Sequence, residues 1–144
     1  MNLPPDIEFH EDIRLFIYRP CCLLDEASVD RAISVLGELE KNQKDPFNRF
    51  SDASGTHEVE LNFRYVIQVS LHRRQAHAGR APVKSAILAT NSTIVHYARL
   101  LVMLTEGSSI KVRLFADRQE AARWLKVPVD LLQAKEAGGT PHGS

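Results

Sequence analysis

Residues 83–127 read VKSAILATNSTIVHYARLLVMLTEGSSIKVRLFADRQEAARWLKV, and this stretch decides the fold. Its first part, residues 83–89, is a mostly apolar run, which is typical of a strand covered on both sides. The helix-capping signal TNS follows, and apolar residues then recur at helical spacing as far as Gly107. Residues 110–115 alternate as a strand, and DRQE from Asp117 has the pattern of a capping box. This order of strands and helices predicts parallel pairing through right-handed crossovers.

The residues before this stretch predict two strands, a helix and a further strand. Residues 7–18 alternate with period two and predict a hairpin-like pair of strands. The helix that follows has Asp25 or Ser28 as its N-terminal cap, and Pro46 stops it. Residues 47–52 are short enough to form a strand.

The segment 59–76, VELNFRYVIQVSLHRRQA, carries mixed signals. Its β-branched residues favour a strand, whereas its length and the spacing of its apolar residues favour a helix. We assign a helix, because length is the better arbiter for mixed signals. The predicted order is then β-β-α-β-α-β-α-β-α, an α/β single domain over residues 7–132 with flexible termini at 1–6 and 133–144.

The composition of the whole chain argues against several classes of protein. The 144 residues include 18 Lys and Arg against 18 Asp and Glu, and zero net charge argues against a general nucleic-acid binder. The adjacent Cys21 and Cys22 are expected to be free thiols, as in a reducing compartment. We see no signal peptide and no apolar run near the roughly 20 residues that cross a membrane. We therefore expect a cytoplasmic protein without membrane insertion.

The last third of the chain resembles the SpoIIAA-like proteins of bacteria, a group of mostly uncharacterised domains in the STAS and Sec14-like superfamily. The shared features are the apolar strand at 83–89, the helix that ends in Glu-Gly, and the sequence VRLFADRQEAARWL at 112–125. The pattern FxDxxxAxxWL within that sequence is specific for the fold, but it indicates no chemistry. The resemblance is firmest over residues 83–127 and extends by element order to residues 7–82.

This resemblance implies a mixed, mostly parallel sheet of four or five strands with helices chiefly on one face. STAS domains act as anti-anti-sigma factors and regulatory modules, whereas Sec14-like relatives bind lipids. We therefore expect a regulatory or protein-interaction module without catalysis. The alternative is a carrier of a small molecule or lipid, which would need an internal apolar cavity.

The loop sequence FSDASGTHE at residues 50–58 supplies a candidate switch or binding loop, formed by Asp52, Ser54 and Thr56. In anti-anti-sigma proteins, a serine in a motif close to D-S-S-G-L-G lies at a helix N-terminus and is phosphorylated. Free backbone amides and the helix dipole favour a phosphate there. This chain has no D-S-S-G followed by Leu-Gly. The simpler interpretation is a turn at Ser54 and Gly55, with Thr56 capping the next helix.

The sequence HRRQAH at residues 72–77 contains a basic cluster. Its first three residues, His72, Arg73 and Arg74, form a candidate patch for an anion, a phosphate or an acidic partner. The alternative is a solvated helix end whose positive charges suit the helix dipole. His72 and His77 are five residues apart and do not share a helix face cleanly, so we expect no metal site.

Motifs of the common catalytic sites do not occur in the sequence. We find no nucleophile elbow, Walker loop or G-x-G-x-x-G motif, and no carboxylate pair with an obvious catalytic logic. We therefore expect neither catalysis nor a cofactor. The expected partner is a protein or a second copy of the chain, and a small ligand is the alternative. An unrecognised enzyme would instead show a deep pocket with convergent titratable groups.

Overall fold

The computed structural model describes residues 2–133, and within that range it contains seven strands and five helices. In chain order they are β1 (Ile7–His10), β2 (Leu15–Tyr18), β3 (Cys22–Asp25), α1 (Glu26–Asn42), β4 (Asn48–Asp52), β5 (Thr56–Glu60), α2 (Phe63–Ala76), β6 (Val83–Leu88), α3 (Ser92–Thr105), β7 (Ile110–Phe115), α4 (Arg118–Leu125) and α5 (Val129–Leu132). Five strands form the main sheet, while β3 and β5 form a separate two-stranded sheet.

The main sheet is mixed and mostly parallel, which confirms the predicted α/β class. Its strand order is β1-β2-β4-β6-β7, so that β4 lies at the centre. β1 pairs antiparallel with β2, and the other neighbouring strands pair in parallel. Parallel neighbours need crossover connections, which contain α1, α2 and α3.

Helices cover both faces of the main sheet. The three long helices, α1, α2 and α3, lie over one face, to which Phe16 and Tyr18 of β2 point. The short helices α4 and α5 lie over the other face, where Leu15 and Ile17 pack against Leu125. Successive residues of a strand point to opposite faces, so the wholly apolar sequence LFIY of β2 serves both cores.

The prediction of one helix over residues 59–76 is wrong at its N-terminal end. Residues Thr56–Glu60 form β5, which pairs in parallel with β3, and α2 begins only at Phe63. The N-cap of α2 is Asn62, so the predicted capping role of Thr56 is also wrong. The strands β3 and β5 pair with each other but lie far apart in the sequence. Each has too few residues to show a clear alternation of apolar and polar side chains.

The other helix boundaries follow the predicted caps. The Asp25 carboxylate accepts a hydrogen bond from the Ser28 amide at 3.0 Å, and the Ser28 hydroxyl accepts one from the Asp25 amide at 3.4 Å, which completes a capping box. Asn91 caps α3, and Asp117 caps α4. Gly107 has a φ of +80°, the left-handed conformation that ends many helices without strain at glycine.

The strands β1 and β7 form the two edges of the main sheet. In β7, the exposed Lys111 and Arg113 alternate with more buried apolar residues. The Arg113 guanidinium lies 5.3 Å from the ring centre of Phe115 and 5.9 Å from that of Trp124. The charged side chains of β7 therefore project on the side of the sheet that α4 covers.

Residues 134–144 and Met1 lie outside the described part of the chain. The predicted flexible termini, 1–6 and 133–144, and the domain boundaries therefore stay predictions. Among residues 2–133, no helix combines the length and the hydrophobicity that a membrane crossing requires.

Candidate functional site

A cavity of about 160 Å³ lies between the main sheet and the helices α1, α2 and α3. All three tyrosines of the chain line it, one from β2, one from α2 and one from α3. Aliphatic side chains make up most of the remaining wall, including Val66 and Ile94. We call this space, lined by Tyr18, Tyr65 and Tyr97, the tyrosine lobe.

The tyrosine hydroxyls make their hydrogen bonds to groups around the lobe. The bonds are from Tyr18 to the Ser28 hydroxyl at 3.1 Å, from Tyr65 to the Asp30 carboxylate and to the Glu26 carbonyl at 3.2 Å, and from Tyr97 to the Leu61 carbonyl at 2.9 Å. Burial and, for Tyr65, the bond to a carboxylate raise the pKa of Tyr18 and Tyr65 above the ordinary value. These phenols therefore stay neutral and present mainly ring carbon to the lobe.

A second cavity of about 160 Å³ adjoins the first. The two share wall residues from the sheet and from all three long helices, namely Tyr18, Val29, Ser51, Val69 and Leu101. The second cavity differs by reaching Arg49 of β4 and Arg73 of α2. We call it the arginine lobe; the two lobes adjoin at these shared side chains, and the arginine lobe has a charged end.

The charged end is a buried cluster around Glu40 of α1. Both Arg49 and Arg73 donate to this carboxylate, with Arg73 Nη2 at 3.3 and 3.4 Å from the two oxygens. Arg49 Nε also donates to the Phe47 carbonyl at 3.1 Å. The arginines are only 5% and 9% exposed, so both guanidiniums are largely removed from water.

His77 completes the cluster from the end of α2. Its ring is buried, and Nε2 donates to the Ala81 carbonyl at 2.9 Å. Because a carbonyl can only accept, Nε2 carries the proton of the neutral ring. The other nitrogen, Nδ1, lies 3.7 Å from Glu40 Oε2 and has no hydrogen-bond partner among the described residues.

The pKa values of the cluster follow from burial and from its charges. Burial favours a neutral Glu40, but Arg49 and Arg73 outweigh it and hold the pKa of this carboxyl below its ordinary value. Burial lowers the pKa of Arg49 to about 10, which Glu40 only partly offsets. Burial also lowers the pKa of His77. At neutral pH the cluster thus holds two positive charges, one negative charge and a neutral imidazole.

The predicted loop residues Asp52, Ser54 and Thr56 lie at the end of β4 and the start of β5, beyond the arginine cluster. Asp52 is buried, and its Oδ1 accepts from the Ser54 amide at 2.9 Å and from the Ser54 hydroxyl at 2.6 Å. Its Oδ2 accepts from Arg118 at 2.8 Å, and Arg118 also donates to the Ser54 hydroxyl at 3.2 Å. The loop joins two strands, so Ser54 does not lie at a helix N-terminus as the signalling serine would.

Thr56 is directed away from the Asp52 network. Its hydroxyl donates to the Pro20 carbonyl at 3.3 Å, and its side chain is buried. The loop therefore brings Asp52 and Ser54 together with Arg118, and it does not add Thr56 to that group. Its proposed role as a switch or binding loop stays a prediction.

The structure separates the three residues of the predicted anion patch. Arg73 points into the buried cluster, whereas His72 is exposed. Arg74 donates to the carbonyls of Leu104 and Glu106 at the end of α3, at 3.2 and 2.8 Å. A surface anion site formed by all three residues stays a prediction. Of the three, only Arg73 lines the arginine lobe.

Cys21 and Cys22 are free, exposed thiols with their sulfur atoms 3.1 Å apart. Cys22 has a φ of +72°, an uncommon conformation for a residue with a side chain. Within residues 2–133, no three His, Cys, Asp or Glu side chains come together in a group that could hold a metal ion.

Sequence reasoning missed Glu40 and Arg49, although one signal for Arg49 is present. The strand sequence NRFSD of β4 places Arg49 and Ser51 on one face and Phe50 on the other. A central parallel strand covered on both faces normally reads as a continuous apolar run. Polar residues on the inner face of such a strand therefore indicate a lined cavity or a buried polar cluster.

The comparisons with known proteins establish the fold. No protein-family model and no curated protein matches the sequence. A solved structure of an uncharacterised protein of the DUF3478 family from Shewanella loihica PV-4, described as having a SpoIIAA-like fold, is similar with a TM-score of 0.54. The two share 15% sequence identity over 83% of this chain and 89% of that one. The chain therefore has a SpoIIAA-like fold, as the resemblance of residues 83–127 predicted.

Proposed function

We propose that this domain binds and carries a small apolar molecule in the two-lobed cavity. The observation that supports the proposal most strongly is the apolar lining of a space that runs between the sheet and three helices. Ligand sites are typically concave, largely apolar and furnished with a few polar groups. The arginine lobe supplies those polar groups at one end only.

The size of the lobes suits a small hydrocarbon skeleton. An apolar protein cavity of roughly 150 Å³ stays dry and binds benzene. Each lobe has about that volume, and the shared wall residues allow one ligand to extend through both. A short aliphatic chain would therefore fill the space better than a single ring.

The lining residues support binding over catalysis. Among the described residues, no Asp, Glu, His or Cys lines either lobe. Those four residue types are the commonest general acids, bases and nucleophiles of enzymes, so their absence from the lining favours binding. The tyrosine hydroxyls are already engaged in hydrogen bonds with the surrounding protein, which also favours a binding role.

A calorimetric titration with octanol tests the carrier. Val69 lines both lobes, so Val69→Phe should fill the space and weaken octanol binding at least tenfold. Leu71→Phe is the matched control, because Leu71 lies two residues further along α2 and is 52% exposed. Wild-type protein that takes up no octanol, or equal loss in both variants, would refute the carrier.

The outer face of α2 favours a second function, which we propose as the binding of an acidic protein partner. Phe63, Ile67 and Leu71 recur every four residues on this helix and are 55%, 39% and 52% exposed. Residues 63–76 contain no Asp or Glu, and the exposed Arg64 lies beside the apolar stripe. An apolar stripe with positive charge beside it complements an apolar surface that carries negative charge. Such a regulatory module would work in the cytoplasm, which the free thiols support.

A photo-crosslinker placed at residue 67 tests this second function. The proposal expects the captured segment to come from another protein and to be acidic, with capture falling at high salt and in Leu71→Glu. Capture of a second copy of this chain, or capture that salt does not affect, would contradict it. Neither result bears on octanol binding, so the two proposals are tested separately.

A further inference from the structure

The charges at the end of the arginine lobe do not balance. Arg49 and Arg73 are charged guanidiniums at neutral pH, and Glu40 is the carboxylate that they share. His77 is neutral at pH 7, since burial lowers its pKa. The nearby Arg80 is exposed to water, which screens its charge, so it is not counted in the buried cluster. The buried cluster therefore carries a net charge of one positive unit beside an apolar cavity.

The two guanidiniums also have unused donors. A guanidinium has five N–H groups. Within the described residues, side-chain hydrogen bonds engage Nε and Nη2 of Arg49 and Nη2 of Arg73. Both arginines line the arginine lobe, so an anion there would lie beside guanidiniums that have donors to spare. A buried cation without full compensation is costly, and an anion in the lobe would relieve that cost.

We propose that the carried molecule is a carboxylate with a short apolar chain, whose headgroup binds Arg49 and Arg73 and whose chain extends into the tyrosine lobe. This inference rests on the proposed carrier function. A carboxylate is planar, matches the fork of a guanidinium and carries a single negative charge. One such charge neutralises the cluster, whereas the dianion of a phosphate would leave an excess negative charge in a desolvated place.

Parallel calorimetric titrations with octanoate and octanol at pH 7.5 test the headgroup. Wild-type protein should bind octanoate at least tenfold more tightly than octanol, because a charge-assisted hydrogen bond replaces a neutral one. Arg73→Gln should weaken octanoate about tenfold and leave octanol unchanged. Arg74→Gln is the matched control, since Arg74 is the next residue on α2 but bonds to carbonyls at the end of α3.

Glu40→Gln should change octanoate affinity in the direction opposite to Arg73→Gln. Removing the shared carboxylate raises the net charge at the lobe, so octanoate should bind more tightly while octanol binding stays the same. A purely structural role of the cluster predicts weaker binding of both ligands in this variant. This test remains decisive if Arg73→Gln fails to fold.

The outcomes separate the two proposals. If neither octanol nor octanoate binds, the carrier function fails. If both bind with equal affinity, or if Arg73→Gln and Glu40→Gln change their affinities in parallel, the carrier stands and the carboxylate inference is refuted. Opposite effects of these two substitutions on octanoate alone would establish the inference.

Discussion

At the scale of single residues, the buried titratable groups and the strained backbone positions make the most specific predictions. Glu40 joins one helix, one strand and a second helix through Arg49 and Arg73. His77 is nearly inaccessible to water and faces the same carboxylate. Because burial and charge shift the pKa values of these groups, the stability of the protein must depend on pH.

The free energy of unfolding should fall as the pH is lowered below about 6.5. The pKa of His77 is depressed from its ordinary value of 6.5, so the unfolded chain binds a proton that the folded protein excludes. Glu40 adds a second loss below its ordinary value of 4.5 for the same reason. Urea unfolding between pH 8 and about pH 2.5 covers both losses, because the Glu40 loss lies below pH 4.5.

Substitution of His77 tests whether this histidine causes the loss of stability that begins near pH 6.5. His77→Gln should remove the loss that begins near pH 6.5, whereas His72→Gln should keep it, because His72 is exposed. An unchanged pH profile in His77→Gln would show that another group carries the step.

Lys126→Gly should stabilise the domain by about 1 kcal/mol. Lys126 ends α4 with a φ of +62°, which glycine adopts without the steric cost that a Cβ atom brings. Lys126→Ala is the control, since alanine keeps the Cβ atom and should change stability little. Chemical denaturation gives both values, and equal stability of the two variants would contradict the argument.

Ser54→Asp should destabilise the protein by about 1–2 kcal/mol, more than Ser54→Ala does. The new carboxylate would lie beside the buried Asp52, which now accepts two hydrogen bonds from Ser54. The same repulsion would act on a phosphate, although Arg118 would offset part of it.

Native mass spectrometry of protein from its host tests whether Ser54 is phosphorylated. A phosphate that is absent from Ser54→Ala would support the switch.

At the scale of elements, the sequence predicted the strands and helices that have long regular periods. The helix α3 and the strand β7 follow from residues 92–105 and 110–115, because their apolar residues repeat over several turns or alternations. The strands β3 and β5 were missed because they contain four and five residues and pair only with each other. Each of these strands forms by pairing with a strand that is distant in sequence, and a local sequence pattern does not reveal such a pairing.

Tyr65→Phe should loosen α2 without unfolding the domain. The Tyr65 hydroxyl connects α2 with α1 at Asp30 and Glu26, and loss of such hydrogen bonds costs about 1 kcal/mol. Hydrogen exchange in residues 63–76 should speed up roughly fivefold if α2 opens locally. Tyr18→Phe is the control, since its hydroxyl bonds to Ser28 and not to α2. Equal exchange in both variants would contradict the role of the Tyr65 hydroxyl in holding α2 against α1.

At the scale of the whole molecule, the sequence identified the SpoIIAA-like fold but not the cavity. The order of the elements over residues 83–127 indicates the fold. Each of these elements can be recognised from a local sequence pattern. The cavity depends on how three helices sit over one sheet, and its charged end combines residues from positions 40, 49, 73 and 77. These residues are distant in sequence and meet only through tertiary packing, so they form no motif with a recognisable spacing.

Octanol should stabilise the whole domain if the cavity accepts it. At ten times its dissociation constant, a ligand that binds only the folded state adds about 1.4 kcal/mol to the free energy of unfolding. For a chain of this size, the melting temperature should then rise by about 4 °C. Differential scanning fluorimetry measures the shift, and Val69→Phe should abolish it. A similar rise in Val69→Phe would place the bound octanol elsewhere.

The edge strand β7 also has a consequence for how copies of the molecule meet. An exposed edge invites a strand from another chain to extend the sheet, a route to aggregation that lysine and arginine side chains obstruct. Lys111 and Arg113 place such charges along β7. Two copies brought edge to edge here would bring like charges together. The β7 edge is therefore protected against sheet extension by a second copy of the chain.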